Sequence, residues 1–440
     1  MKLLFTLLAL SLKNVRRHAR TSLASLVVMA GAVLALDVLG GYVDGNLRVL
    51  ESAFVHWGAR GHLIIEHPSS ELAKSVEGVG LVPLDEDQQS TIARVLAQDA
   101  DVAVSARLLR LSGMLDAGRV STVFAGIGWE ADAIRRIKGP AYEYDVIAGQ
   151  SLWQSPRPDA VVLGQGLARV IGCNVPDVGF VPLRQGQAPV TRALGCPAGP
   201  LQLSVATLSD ARVGAGSFTP VGVMDWGVKD VNDRLVVLDL PQAQRLLNTK
   251  DISEVHVLLK EGVDLDTAQR HLDGTLGAAG LHLLVSKWSD RATFFHQVQA
   301  MMLSFLMFAL TVSLIVAYMS LLNSSYLNFM QRSKELATLR SIGYSRRFVL
   351  MLAGLENAWL ALFAGGLGVA GAVAVAEAVR AAGLSYTPPG SNNPVPIEIS
   401  ILPSVYAVSA LVVAVLAVVS SAVPIRKILR RSIVDSLSAV

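Results

Sequence analysis

Four apolar runs long enough to cross a bilayer constrain this chain more than any other feature. They cover residues 21–43, 300–327, 348–376 and 402–424. At about 1.5 Å per helical residue, each reaches across roughly 30 Å of hydrocarbon. The intervening stretch 44–299 holds no such run. The chain therefore reads as a polytopic α-helical membrane protein, with four transmembrane helices and one large soluble part. A composition of 52% hydrophobic and only 17% charged residues fits that class.

The charge of the short pieces predicts the orientation. Lys2, Lys13, Arg16, Arg17 and Arg20 precede the first run, Arg332, Lys334, Arg340, Arg346 and Arg347 separate the second from the third, and Arg426, Lys427, Arg430 and Arg431 follow the fourth; only Glu335 and Asp435 oppose them. Excess Lys and Arg stay on the cytoplasmic side, so both termini are expected inside and residues 44–299 outside. Residues 1–20 begin apolar and end basic, the reverse of a cleaved leader, and read as a cytoplasmic interfacial helix. Residues 377–401 make a short outer loop broken by Pro388, Pro389, Pro394 and Pro396, and 425–440 a cytoplasmic tail expected to begin where Pro424 ends the last span. The basic residues hug membrane ends and form no single patch, which excludes nucleic acid as a partner.

The soluble part alternates short β-rich runs with a few helical ones. Strands are expected near 61–66, 102–112, 120–127, 218–224, 235–238, 255–259 and 281–285. Helices are expected at 85–98, opened by acids in the first turn, and at 242–247 and 265–276. Residues 140–217 are rich in Gly and Pro, so the expected organisation is a membrane-proximal α/β part (44–140 with 218–299) around a projecting β-rich insert. Cys173 and Cys196 both fall outside, where a disulfide or two free thiols are each open. His56, His62 and His67 lie close together beside Glu66, but strand alternation sends His67 to the opposite face from His62 and Glu66, so no metal site is expected.

Inside the spans, three polar residues stand out. Asp37 in the first faces a protein neighbour, a wet cleft or the outer headgroups. Glu356 in the third needs a partner, for which Asn357 or a neighbouring backbone serves. The connection 328–347 reads as an amphipathic helix, with Leu336, Leu339 and Ile342 on one side and Lys334, Thr338 and Ser341 on another; Gly343 supplies a left-handed stop and Ser345 a new N-cap. Such a helix either lies on headgroups or docks into a cytoplasmic partner.

The order Lys334-Glu335-Leu336-Ala337-Thr338-Leu339-Arg340-Ser341-Ile342-Gly343-Tyr344-Ser345-Arg346-Arg347 resembles the coupling segment of ABC-transporter permeases of the FtsX, MacB and LolC/LolE superfamily. There, an acidic residue, a Leu-Arg pair and a Gly followed by small and basic residues come just after the second transmembrane helix. Gly61-His62-Leu63 is similar to the LolC/LolE segment leaving the membrane, and Val162-Leu163-Gly164 before Leu167-Ala168 resembles the turn and helix of the family's inserted subdomain. A Glu is common in the family where Glu356 stands, which implies packing or coupling.

The resemblance implies an outer α/β domain of the MacB periplasmic-core type and a place in the bacterial inner membrane. It also implies that Lys334, Glu335, Leu336, Leu339, Arg340, Ile342, Gly343, Arg346 and Arg347 couple to a cytoplasmic ABC ATPase dimer holding ATP and magnesium. This chain is expected to bind no cofactor and to catalyse nothing: it has no G-x-x-x-x-G-K-[ST] phosphate loop, G-x-S-x-G elbow or H-E-x-x-H motif. MacB carries its ATPase in the same chain, so the resemblance leans to the LolE type. Further implied partners are a second permease copy or paralogue, a periplasmic carrier or adaptor, and membrane lipids. The implied function is mechanotransmission that exports or releases lipidated or amphipathic cargo such as lipoproteins; the alternatives are an FtsX-like regulator of a cell-wall hydrolase and a scaffold without ATP coupling.

Overall fold

The computed structural model describes residues 10–15, 17, 19–69, 82–176, 178, 192–197, 199–206, 212–386 and 395–429. Most of the expected interfacial helix and all of Arg430, Arg431, Asp435, Pro388, Pro389 and Pro394 lie outside them. The chain divides into two units: Met1–Arg48, Gln297–Leu384 and Pro396–Val440 form one, Val49–His296 with Ser385–Val395 the other.

The first unit is helical. Its members are α1 (Ala19–Ser52), whose last residues enter the second unit, then α7 (Thr293–Gln331), α8 (Ser333–Ser341), α9 (Arg346–Ala382) and α10 (Pro403–Leu429). Four of these helices are long and apolar enough to cross a membrane. All four run past the expected ends, α7 by starting at Thr293 and ending at Gln331 instead of 300–327. The first continues beyond Val43, where Asp44 and Arg48 pair one turn apart at 2.8 Å. The third reaches Ala382, supported by Glu377 and Arg380 at 2.8 Å, and stops at Gly383 with φ +60°. The fourth passes through Pro424 to Leu429; proline removes one backbone bond and leaves the rest of the ladder intact. Met29, Val33, Leu36, Leu321, Leu360, Ala364, Val413 and Ala417 form the bundle core.

The second unit is built on one ten-stranded sheet. In order come β1 (Leu63–Glu66), α2 (Glu86–Gln98), β2 (Val102–Asp116), β3 (Ser121–Trp129), α3 (Ala131–Tyr142), β4 (Val146–Gly149), β5 (Ala160–Gly164), α4 (Gln165–Val170), β6 (Leu201–Ala206), β7 (Val213–Met224), β8 (Leu235–Asp239), α5 (Leu240–Leu247), β9 (Glu254–Leu259), α6 (Leu265–Ala278) and β10 (Leu284–Lys287). Asp85 caps α2, accepting from Gln88 N at 2.8 Å while Gln88 Oε1 accepts from Asp85 N at 3.0 Å. Alternation sends Leu109, Val161 and Val236 to one core and Leu108, Val162 and Val237 to another.

The separate insert expected at 140–217 is not what forms. The pairings run β2–β3–β8–β5–β7–β6 and return from β6 to β2, a closed cycle. Only β3–β8 and β5–β7 are parallel. The cause is the length of β2: its first half pairs with β9, and its second half runs past β9 to meet β6. Gly113 permits that junction, because a Cβ there would stand 2.0 Å from the Ser204 carbonyl oxygen. Closure pairs these strands on both sides over part of their length, while residues 121–124 of β3 and 213–218 of β7 pair on one side only among the described residues.

Candidate functional site

The site lies where α7 gives way to α8. At Arg332 the backbone leaves the helical region, with φ −99° and ψ 12°, and α8 restarts one residue later. The break turns the guanidinium inward, leaving Arg332 7% exposed beside Glu356 at 6%. Its Nη1 donates to Glu356 Oε2 at 2.7 Å and its Nη2 to Oε1 at 3.3 Å. Asn14 Nδ2 donates to Oε1 at 2.7 Å, and Arg332 Nε to Glu335 Oε2 at 3.3 Å. A planar fork meets a carboxylate two to two, the geometry that best offsets burying both charges.

This corrects the expected partner of Glu356: Arg332 and Asn14 hold it, and the neighbouring Asn357, 7% exposed, has no bond to its Nδ2 among the described residues. Counting Arg332 only among the cations that keep the connection inside missed it. No helical period links positions 24 apart across a break, so the sequence carries no spacing signal for the pair.

The apolar side of α8 also differs from the expected stripe. Leu336 and Ala337 are buried with Phe329 of α7, Val349 and Ala353 of α9 and Ile425 of α10. Leu339 is half-buried, while Ile342 is 70% exposed. Residues three apart drift about 60° around a helix per step, so a stripe at that spacing walks off the core. Three helices are thus tied to one face of α8. Lys334, Glu335, Thr338, Ser341, Ile342, Tyr344, Arg346 and Arg347 stand exposed and Arg340 half-buried.

The far end of α8 is closed by Tyr344 N donating to Leu339 O at 3.2 Å, with Gly343 at φ +104°. That backbone strongly favours glycine. Ser345 Oγ then accepts from Phe348 N at 3.2 Å, capping α9, and the Tyr344 ring stacks on Phe348 at 4.5 Å. The result is a short helix pinned on one side and presenting two apolar side chains among basic ones on the other.

The remaining residues singled out lie elsewhere. Asp37 is fully buried against Ser409 in the helical unit. In the other unit, Cys173 and Cys196 are joined as a disulfide with Cα atoms 4.0 Å apart, next to Asn174 N donating to Gly195 O at 2.6 Å. His62 Nδ1 accepts from Leu259 N at 3.0 Å, with the His56 ring 6.4 Å away. Burial first, and then the charge His56 can carry, push His62 down to about 4. Burial pushes Glu254 up, but the Arg110 guanidinium at 2.7 Å and His256 outweigh it and hold the carboxyl well below its usual range. No group of His, Cys, Asp and Glu among the described residues is arranged to hold a metal.

Comparison with known proteins gives three results. Residues 307–433 match the family described as FtsX-like permease C-terminal. Among solved structures, the periplasmic region of MacB from Actinobacillus actinomycetemcomitans is similar at 14% identity and TM-score 0.33, covering 55% of this chain and 95% of that one. The extracellular domain of the ABC-type transporter YknZ from Gram-positive bacteria is similar at 14% identity and TM-score 0.30, covering 49% of this chain and 94% of that one. No curated protein matches the chain. Residues 307–433, which hold α8, the Arg332–Glu356 pair and much of the last three long apolar helices, are thus an FtsX-like permease C-terminal region.

Proposed function

We propose that this chain is the membrane subunit of an ABC transporter that works by mechanotransmission. It receives motion at α8 from a cytoplasmic ATPase dimer on separate chains and uses it to release or export lipidated or amphipathic cargo, such as lipoproteins, from the inner membrane. The observation that carries this reading is the two-sidedness of α8: Leu336 and Ala337 are buried with the ends of three spans, while Ile342 is 70% exposed beside Arg346 and Arg347. A helix that only rested on headgroups has no need of a buried ion pair beneath it. ATP and magnesium belong to the partner. Four spans seldom close a path alone, so a second copy or a paralogue completes the assembly, and a periplasmic carrier takes the cargo.

Recovery of the partner tests the reading. Tagged full-length protein is purified from its own membranes, and the ATP-hydrolysing subunit that accompanies it is quantified. Ile342→Asp places a charge in the exposed apolar patch and is expected to lower recovery about tenfold, the equivalent of about 1.4 kcal/mol. Unchanged recovery contradicts the reading. Lipidated cargo held on a complex trapped before hydrolysis supports release of cargo over control of a hydrolase.

A further inference from the structure

A second buried polar cluster lies in the helical unit, away from α8. Asp37 of α1 is 0% exposed, and Tyr406 and Ser409 of α10 are 5% and 6% exposed. Ser409 Oγ stands 2.5 Å from Asp37 Oδ1 and 3.0 Å from the Tyr406 carbonyl oxygen. A serine hydroxyl has one hydrogen, and a carboxylate and a carbonyl have none. With Asp37 ionised, one hydrogen is left to serve two contacts. With Asp37 as a carboxylic acid, it donates to Ser409 Oγ, Ser409 donates to the carbonyl, and both contacts are complete.

A second observation agrees. Asp37 Oδ2 and Tyr406 Oη are both buried with no hydrogen-bond partner among the described residues. A neutral acid tolerates an orphaned oxygen far better than an anion does in an apolar span.

Among the described residues, no neighbouring element supplies a compensating charge. On α1 and in the segment before α10 the next charged groups are Asp44, which pairs with Arg48, and Glu398. A Cβ on Gly368 of α9 would stand 2.7 Å from Val33 Cβ, so α9 lies against α1, and beyond that contact its buried positions are Ala372 and Ala376, followed by the paired Glu377 and Arg380. In α7, which meets α1 where Ser324 Oγ lies 2.5 Å from Ser25 Oγ, residues 299–317 include nothing titratable. Among the described residues, Tyr406 of α10, one turn before Ser409, is the titratable side chain beside Asp37.

We propose that Asp37 is a proton-binding site in the membrane part of this protein. In the packed arrangement its carboxylic acid joins α1 to α10 through Ser409. When the two helices part and water reaches the acid, the Asp37 O–H bond breaks, the electron pair stays on the carboxylate and the proton passes to water. The ligand is a proton, and its release marks the opening of the α1–α10 contact.

Infrared spectroscopy of the full-length protein in lipid nanodiscs at neutral pH tests this. The difference between wild type and Asp37→Asn is expected to show loss of one carboxylic C=O band, which moves to lower frequency in heavy water. Ser409→Ala, which removes the acceptor, is expected to move that band to higher frequency. If Asp37→Asn does not fold, isotopic labelling of the aspartate carboxyls in wild type and in Ser409→Ala reads the same band. A carboxylate band pair in place of the C=O band, or a C=O band that Ser409→Ala leaves unmoved, overturns the proposal.

Discussion

Removing Arg332 would leave the Glu356 charge buried with only the Asn14 amide against it. Breaking one side of a buried pair costs about 3–5 kcal/mol, whereas replacing both sides with apolar residues of similar size is close to neutral. Arg332→Ala is therefore expected to lower the unfolding midpoint in detergent strongly, and Arg332→Met with Glu356→Leu to recover most of the loss. Equal losses in the two variants contradict a paired charge. His62 makes a second residue-level prediction. Above its ordinary value of 6.5, folded and unfolded forms are both neutral; between 6.5 and about 4 only the unfolded chain takes up the proton, so stability falls as the pH drops through that window. Tryptophan-detected urea unfolding at about pH 7 and about pH 5 is expected to differ by about 1 kcal/mol after solvent screening, and His62→Gln to remove that share. Glu254 works in the same sense: its stabilised ionised form is present above the ordinary carboxylate range and lost below it.

Elements were legible where a local signal fixed them. The acids that open residues 85–98 mark the start of α2, and Gly343 with Ser345 marks the corner between α8 and α9. Helix ends were not, because Asp44–Arg48 and Glu377–Arg380 carry α1 and α9 past the point where apolar runs stop. A window of hydropathy does not see a salt bridge one turn long. The face of α8 was half legible: Leu336 turns inward as its apolarity demands, while Ile342 lies at the cap and points away. Gly343→Val tests the corner itself. A β-branched residue at φ +104° costs about 1–2 kcal/mol, so amide exchange is expected to speed up across 338–345 and stay unchanged in the core of α9. Uniform exchange in both places contradicts a local hinge role for Gly343.

For the whole molecule, four spans and a large α/β part follow from the distribution of apolar residues, since a bilayer leaves few alternatives. The closed strand cycle did not follow. It depends on Gly113 of β2 accepting Ser204 of β6 at close approach, a contact between positions far apart in sequence. The Arg332–Glu356 pair was hidden for the same reason, so the motif was readable from its residues while the joint that anchors it was not. The central claim is that α8 carries force between an ATPase and the spans. A photo-crosslinker at position 342, in membrane vesicles with and without ATP, tests it most directly. The account predicts a crosslink to a nucleotide-binding subunit whose yield changes with ATP, and a crosslinker at position 336 that joins only to this chain. Crosslinks from position 342 to lipid alone, unchanged by ATP, would contradict it.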